Sequence, residues 1–345
     1  MPISAKPDRY GFFAFDGGLL RQLSVAYGLG PLTGFRPVLL DGDHVTLIDI
    51  RSQTSRKMII ETADGDRLFL KQIPWYCEQD TLTLATAWQA QATAAGLPVP
   101  RILRTTEGSA WYDIGGSSFT LTEYVPGRRY TGTPHDRAQA ARTMALLHST
   151  PADIPNAPSE DAFVGALDHI ALAPVTSAST AALDLMRHAV RSWAAQAAAS
   201  GWESLTGQLT HGDTNPWNLI YTDTAAALID FDNAHRGPSL RDVAEALLSF
   251  CAVRYRQDTT NFAPAVPGLI NRGEAADILT AYTQVRALTS VERACLPPAG
   301  GAVAVGLVCL GLMRGDYPHV LAHDLARWAA RVPDDMTRLL REVCP

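Results

Sequence analysis

The sequence lacks the segments and cysteine patterns that mark membrane, secreted and zinc-binding proteins. Residues 1–6 contain no apolar core of a signal peptide. The longest apolar run, residues 299–313, is too short for a bilayer span and contains four glycines, so we expect a buried helix there. The five cysteines are scattered and form no Cys-x-x-Cys pair, which is typical of free thiols in a reducing compartment. We therefore expect a cytoplasmic protein that does not bind a membrane.

Charge is also sparse, and no part of the chain is strongly basic. Charged residues make up 19% of the chain and hydrophobic residues 47%, with 29 basic and 35 acidic side chains, a composition typical of globular proteins. The acidic excess falls in residues 131–237, which hold 5 basic and 11 acidic residues. This balance argues against a nucleic-acid partner. A chain of 345 residues is long enough for two domains or for two lobes of one enzyme.

The order of predicted elements indicates an α+β fold with a small antiparallel β lobe followed by a larger helical lobe. β-Branched and aromatic segments separated by turn signals predict strands at residues 35–40, 45–52, 57–62 and 67–73. A helix is predicted from Asp80 to about Ala95, and a hairpin that ends at 118–125 completes this lobe. Helical periodicity then predicts helices at 138–148, 181–199, 239–254, 275–288, 302–313 and 320–330. We expect a helical extension at 1–34, a β lobe at 35–125 and a helical lobe at 126–345.

One motif between these helices carries the chemistry. His211-Gly212-Asp213-Thr214-Asn215-Pro216-Trp217-Asn218 is followed, after a predicted hairpin, by Asp230. An acid, an amide five positions later and a second acid suit metal-dependent phosphoryl transfer. One carboxylate positions the acceptor hydroxyl, while the amide and the other carboxylate hold Mg²⁺ on the nucleotide phosphates. A turn-capping role for Asp213 alone would leave Asn218 and Asp230 unexplained.

This motif resembles the catalytic loop of the aminoglycoside phosphotransferase family, which includes choline kinase-like and homoserine kinase-like enzymes. The resemblance extends in order from about Phe35 to about Phe250. It implies a protein-kinase-like two-lobe fold, with ATP or GTP as the phosphate donor. It also implies that Asp213 is the catalytic base and that Asn218 and Asp230 are the magnesium ligands.

Three further residues near the motif have expected roles. His211 is expected to fix the loop through hydrogen bonds of its ring rather than to act in catalysis. Asp232 could assist the metal or bind the hydroxyl acceptor, and the sequence does not separate these roles. Asp242 resembles the family aspartate that braces the catalytic loop from the next helix.

Lys71 is the candidate phosphate-binding residue of the β lobe. Strand alternation places it between Phe69 and Ile73 on one face, and an ammonium group in that setting suits the α- and β-phosphates better than a solvent-exposed strand edge. Its usual partner, a helix glutamate, is missing, because residues 81–95 contain no acidic residue. Either Glu78 supplies the ion pair, or Gln89 supplies a neutral hydrogen bond, or no pair exists.

The resemblance places purine recognition at backbone groups near Glu123 and Val125, after the last strand of the β lobe. Asp41-Gly42-Asp43-His44 could form the loop that covers the triphosphate, although an ordinary hairpin turn explains the same residues. Because backbone groups recognise the purine, side chains do not distinguish ATP from GTP. A monomer and a homodimer are both compatible with the sequence.

The acceptor is expected to be a small molecule. Gly212 occupies the position at which protein kinases have an arginine that binds the activating phosphate. Only eight residues separate Asp230 from Ser239. That segment is too short for a peptide-docking platform. The candidates are an antibiotic, an amino alcohol, homoserine, a natural-product intermediate or a hydroxyl of a biosynthetic peptide. A catalytically silent nucleotide-binding relative with an interaction role is the alternative from another class.

Overall fold

The computed structural model describes residues 17–37, 56–73, 79–114, 117–151, 154, 159, 161–176, 179–205, 207–252 and 267–344. Contacts within the chain divide it into two compact units, one of residues 1–94 with 99–126 and the other of residues 95–98 with 127–345. Three predicted features, Glu78, the loop at 41–44 and the strand at 45–52, lie outside the described residues.

The first unit contains a five-stranded antiparallel sheet in the order β1-β2-β3-β5-β4. Its elements are α1 (Gly17–Ala26), β1 (Leu32–Pro37), β2 (Arg56–Thr62), β3 (Arg67–Ile73), α2 (Gln79–Ala94), β4 (Trp111–Ile114) and β5 (Ser117–Glu123). The Asp64-Gly65 turn joins β2 to β3, and Gly65 has a φ of 86°, which a glycine adopts without strain. In this strand order β3 is the central strand, with β2 on one side and β5 on the other.

One face of this sheet and α1 form the core of the unit. Leu19 and Leu23 of α1 pack in one buried cluster with Ile60, Leu70 and Phe119. The hydroxyl of Tyr27, just after α1, donates a 2.7 Å hydrogen bond to the Phe119 carbonyl. The segment predicted as an N-terminal extension thus contributes to the core of the sheet, and β1 begins before the expected position 35.

The second unit is mainly helical. Its helices are α3 (Pro134–Ser149), α4 (Ala162–Leu172), α5 (Thr180–Ala199), α6 (Leu240–Cys251), α7 (Arg272–Thr283), α8 (Ser290–Arg314) and α9 (Ala322–Val343). Its short strands are β6 (Gln208–Thr210), β7 (Leu219–Tyr221), β8 (Ala226–Leu228) and β9 (His235–Gly237), which pair as β6 with β9 and β7 with β8. α4 is not among the helices predicted from the sequence.

α8 is longer than its predicted span of 302–313. A capping box of Thr289 and Glu292 starts it at Ser290, and it continues through Pro297 and Pro298. By length and composition this helix could cross a membrane, but 83% of its most apolar window is buried within the protein. α8 packs against α4, α5, α6 and α9, so the predicted buried helix is present and forms the centre of the unit's core.

Candidate active site

The segment from residue 211 to residue 218 links β6 to β7 and turns sharply at Gly212. This residue has a φ of 75°. A Cβ atom added here would lie against the Asn233 carbonyl oxygen and 2.9 Å from Nδ1 of His235. Both the left-handed backbone and the missing space require glycine. Gly212, which distinguishes this motif from that of protein kinases, is therefore also required by the local backbone geometry.

Two amide side chains fix the carboxylate of Asp213. Nδ2 of Asn215 donates to Oδ1 at 2.5 Å, and Nδ2 of Asn218 donates to Oδ2 at 2.7 Å. The Asn218 amide also reaches the Asp213 carbonyl at 2.9 Å, and the Asn215 side-chain oxygen accepts from the backbone N–H of Trp217 at 2.9 Å. The partly exposed Asp213 side chain is thus held in one orientation by its own loop.

The second predicted acid, Asp230, follows β8 and is brought next to this loop. The backbone N–H of Ile229 donates to the Asn218 carbonyl at 3.0 Å, so the two predicted metal ligands lie on adjoining segments. Asp230 has a φ of 68°, the only positive φ of a non-glycine residue in the part of the chain that the structure describes. Aspartate tolerates this region better than most residues, and such backbone conformations cluster at functional sites. Asp232 follows in a short 3₁₀ turn and is partly exposed.

Asp242 of α6 braces the loop, as the sequence predicts. Its carboxylate accepts from the backbone N–H groups of His211 at 2.7 Å and Gly212 at 2.9 Å, and from Nε2 of His148 at 3.0 Å. Burial alone would raise the pKa of the Asp242 carboxyl group, but these hydrogen bonds and the neighbouring histidines hold that pKa well below its usual range. Asp242 is therefore a buried carboxylate that accepts three hydrogen bonds, two from the loop backbone and one from His148.

A chain of polar contacts continues from Asp242 away from the loop. The Tyr282 hydroxyl lies 3.0 Å from Nδ1 of His148, and Arg286 donates to that hydroxyl at 3.2 Å. Arg286 also donates to Glu292 at 2.6 Å, at the start of α8. His148 lies in the helix predicted at 138–148, but the sequence did not indicate these contacts, because its partners lie 94 and 134 residues away.

The His211 ring makes the kind of contact that the sequence predicts, and its non-catalytic role stays a prediction. Its ring is buried, Nε2 lies 2.9 Å from the Ile229 carbonyl and the ring packs edge-on against Phe231 with centroids 4.9 Å apart. The ring therefore ties the loop to the segment that carries Asp230.

Sequence reasoning missed Glu245, a second buried acid on α6. Its side chain is 6% exposed, and it lies one turn after Asp242. Its carboxyl group lies near Asp213 and the Thr214 backbone, and the Thr214 hydroxyl donates to the Asp242 carbonyl at 2.8 Å. The signal in the sequence was an acid three residues after Asp242, in a helix that has no other charged residue after its first turn.

In the first unit, Lys71 lies on the central strand and is 8% exposed, which excludes the solvent-exposed edge lysine. The partner of Lys71, whether Glu78, Gln89 or none, stays a prediction. Gln89 donates its amide to the Pro100 carbonyl at 2.8 Å, and Glu78 lies outside the described residues.

Glu123 makes contacts within the first unit. Its side chain is exposed and pairs with Arg101 at 2.6 Å, and its backbone N–H donates to the Arg101 carbonyl at 3.0 Å. Because that N–H is already bonded, purine recognition here would rely on the Glu123 carbonyl and on the backbone of Val125, and it stays a prediction.

The described residues contain no group of three or more His, Cys, Asp or Glu side chains arranged to hold a metal ion. The donor set nonetheless suits magnesium. The Asn218 amide nitrogen faces Asp213, which turns its oxygen the opposite way, and the adjoining segment supplies the Asp230 carboxylate. Mg²⁺ is usually bound by one or two protein oxygens together with substrate phosphates. These two residues fit a metal that arrives with a nucleotide.

Comparison with known proteins gives matches over most of the chain. The model of the phosphotransferase enzyme family matches residues 46–288. The homoserine kinase of Xanthobacter autotrophicus is 26% identical over 275 residues, which cover 79% of this chain and 77% of that protein.

Solved structures are similar over nearly the whole chain. An amicoumacin kinase in complex with AMP-PNP, Ca²⁺ and Ami superposes with a TM-score of 0.65 at 14% identity, covering 94% of each chain. A choline/ethanolamine kinase family protein from Mesorhizobium loti gives a TM-score of 0.62 at 16% identity, covering 94% of this chain and 98% of that one. The predicted protein-kinase-like α+β fold is confirmed.

Proposed function

Because the chain belongs to the phosphotransferase enzyme family, we propose that it transfers the γ-phosphate of a nucleoside triphosphate to a hydroxyl group of a small molecule. One observation carries the proposal. Asn215 and Asn218 hold both carboxylate oxygens of Asp213, and a backbone hydrogen bond brings Asp230 next to Asn218. A fixed acid beside two metal-binding oxygens is the minimum that phosphoryl transfer requires.

In this mechanism Asp213 accepts a hydrogen bond from the acceptor hydroxyl and aligns its oxygen with the γ-phosphorus. A bond forms between these two atoms while the bond from the γ-phosphorus to the leaving oxygen of the nucleoside diphosphate breaks. The hydroxyl proton passes to Asp213 and then to solvent. Because the transition state is loose, the main task of Asp213 is orientation, which explains why two amides restrain its carboxylate.

Asn218 and Asp230 would hold Mg²⁺, which neutralises the charge that develops on the phosphates. A solved relative that holds AMP-PNP and Ca²⁺ supports a nucleotide co-substrate and a divalent ion. We assign Lys71 to the nucleotide phosphates, since a buried ammonium group on a central strand suits an anionic ligand.

Homoserine is the first acceptor to test. A homoserine kinase matches more than three quarters of the chain, and homoserine carries the primary hydroxyl that the mechanism needs. The short segment between Asp230 and α6, together with Gly212, also favours a small acceptor over a protein. Amino alcohols, aminoglycosides, sugars and short hydroxyl-bearing peptides form the comparison set.

The test is a measurement of nucleoside diphosphate release and phosphorylated product with MgATP and MgGTP across these acceptors. Asp213→Asn keeps the size of the side chain and removes its charge, so transfer should fall by about three orders of magnitude or more. Asp223→Asn, at an exposed position in the β7–β8 turn, is the matched control and should retain wild-type activity.

Two results would overturn the proposal. One is the absence of phosphorylated product with every acceptor. The other is transfer by Asp213→Asn at the rate of Asp223→Asn, because the acid would then have no part in the chemistry.

A further inference from the structure

The Asn215 side chain has more hydrogen-bonding capacity than its contact with Asp213 uses. Its oxygen accepts from the backbone N–H of Trp217 at 2.9 Å, so its nitrogen faces Asp213, where Nδ2 donates to Oδ1 at 2.5 Å. An amide nitrogen carries two hydrogens. The second has no acceptor among the residues that the structure describes, and Asn215 is partly exposed. One N–H group of the catalytic loop is thus available to a bound molecule.

The two carboxylate oxygens of Asp213 have different neighbours. Asn218, which the mechanism assigns to the metal, donates to Oδ2 at 2.7 Å, whereas Asn215 donates to Oδ1. Each carboxylate oxygen has two lone pairs, so Oδ1 can accept a second hydrogen bond. The acceptor hydroxyl fits Oδ1, because Oδ2 lies on the side of the metal ligands. Asn215 and the acceptor then share one oxygen of the base.

This sharing sets how far Asn215 lies from the reacting atoms. Two donors bound to one carboxylate oxygen at about 2.5–2.8 Å each lie about 4–5 Å apart. The γ-phosphorus approaches the acceptor oxygen to about 3–3.5 Å before the bond forms. One oxygen of the phosphoryl group fills the gap between the acceptor and Asn215, and it comes within hydrogen-bond distance of Nδ2.

A donor at this position meets a need of the reaction. In a loose transition state the charge of the transferred group spreads over its three equatorial oxygens. The Asp213 carboxylate beside these oxygens adds repulsion, which a donor placed between the two negative groups reduces. An N–H group that is already oriented before the charge develops stabilises it without further reorganisation.

We propose that Asn215 is a catalytic residue, which donates one N–H to Asp213 and the other to an oxygen of the phosphoryl group during transfer. The inference rests on the proposed phosphotransferase activity and goes beyond it by adding a direct contact with the reacting group. No proton leaves the amide, so the bonds that form and break are only those of the transfer itself.

Binding of a phosphoryl mimic tests this contact without an acceptor. Aluminium fluoride bound together with MgADP imitates the planar phosphoryl group, and the measured quantity is the affinity for MgADP with fluoride divided by the affinity without it. In wild type this ratio should be about tenfold or more. In Asn215→Ala it should fall to about one, while the affinity for MgADP alone stays within about twofold, because ADP lacks the γ-phosphoryl group.

Asn271→Ala is the matched control. The Asn271 side-chain oxygen caps α7 by accepting from the backbone N–H of Glu274 at 3.2 Å. The Asn215 side-chain oxygen caps the short 3₁₀ turn Pro216–Asn218 in the same way. Both variants therefore lose a cap, but only Asn215 bonds to the base. The control should keep the wild-type ratio.

Kinetics separate a contact with the phosphoryl group from a contact with Asp213 alone. With the phosphorylated acceptor, kcat should fall by about tenfold to a hundredfold in Asn215→Ala. The same substitution is then added to Asp213→Asn. If Asn215 only oriented the base, its loss would change nothing further once the charge of the base is gone. Contact with the phosphoryl group instead predicts a further fall of about fivefold or more.

The inference fails if wild type gains no affinity from fluoride, if Asn215→Ala keeps the wild-type ratio, or if adding Asn215→Ala to Asp213→Asn costs no further activity. Failure of the proposed function is recognised separately, by wild type that phosphorylates no acceptor. In that case a fluoride ratio that Asn215→Ala abolishes and Asn271→Ala preserves still supports the contact between Asn215 and a phosphoryl group.

Discussion

Nε2 of His148 in α3 donates a 3.0 Å hydrogen bond to Oδ2 of Asp242 in α6, although 94 residues separate them in the sequence. The same carboxylate accepts from the backbone of His211 and Gly212. α3 therefore supports the catalytic loop through a single intervening carboxylate. The loop is fixed by groups already present in the folded unit, so its geometry needs no phosphorylated residue.

The first prediction concerns this contact. His148→Ala removes one donor from a buried carboxylate and the partner of the Tyr282 hydroxyl. We expect the free energy of unfolding to fall by about 2–4 kcal/mol and kcat by about tenfold. Urea denaturation and steady-state kinetics measure both. His188→Ala, at an exposed position on α5, is the control, and equal losses in the two variants would contradict the prediction.

The second prediction concerns Gly212. Gly212→Ala should abolish measurable transfer, because its Cβ would meet the Asn233 carbonyl oxygen and the imidazole of His235. Gly315→Ala is a matched control in the same unit, since Gly315 has a φ of 77° and an added Cβ would find nothing within 4 Å. That control should cost only about 1 kcal/mol of stability from backbone strain and retain activity. Normal kinetics in Gly212→Ala would show that the close approach does not constrain the loop.

The third prediction concerns the metal. Asp230→Asn should raise the Mg²⁺ concentration for half-maximal rate and lower kcat by about two to three orders of magnitude, because an amide oxygen binds Mg²⁺ more weakly than a carboxylate does. Kinetics over a Mg²⁺ titration measure both effects. Asp232→Asn in the same titration separates its two possible roles, because only a metal role changes the Mg²⁺ requirement. An unchanged titration in Asp230→Asn would remove it from the metal site.

The fourth prediction is a pH dependence of stability. The unfolded chain loses the Glu245 proton near the ordinary value of 4.5, whereas the folded protein keeps it to a higher pH. The folded state then binds more protons than the unfolded state. Wild type should therefore lose about 1.4 kcal/mol per pH unit from this one group as the pH rises above that value, until the folded pKa is reached.

Glu245→Gln does not titrate, so its stability relative to wild type should increase from pH 5 to pH 8. Urea denaturation at several pH values measures the difference. Asp223→Asn removes an exposed acid, and its stability relative to wild type should not change with pH. A stability gap between Glu245→Gln and wild type that does not change with pH would mean that Glu245 is ionised in the folded protein.

The sequence predicted the features that depend on residues close to each other in the chain. Asp213, Asn215 and Asn218 lie within six positions, so one motif contains both the acid and the amides that hold it. The β2–β3 hairpin was predictable because Asp64-Gly65 marks its turn. Local spacing and turn chemistry act over a few residues, and a single sequence contains that information.

The features that the sequence did not predict depend on contacts between distant residues. α8 continues through Pro297 and Pro298, which local propensity treats as a boundary, because it is buried among four other helices. The bond from His148 to Asp242 and the position of Glu245 beside Thr214 exist only after α3, α6 and the loop have packed together. No local pattern identifies which residues these side chains contact.

The left-handed backbone of Asp230 affects how a mutational scan of this enzyme should be interpreted. Alanine at position 230 would remove the carboxylate and also place a Cβ-bearing residue without a polar side chain at a φ of 68°. Aspartate and asparagine tolerate that conformation better than alanine does. An alanine scan would thus combine the loss of a ligand with a backbone cost, and it would assign to chemistry an effect that belongs partly to folding.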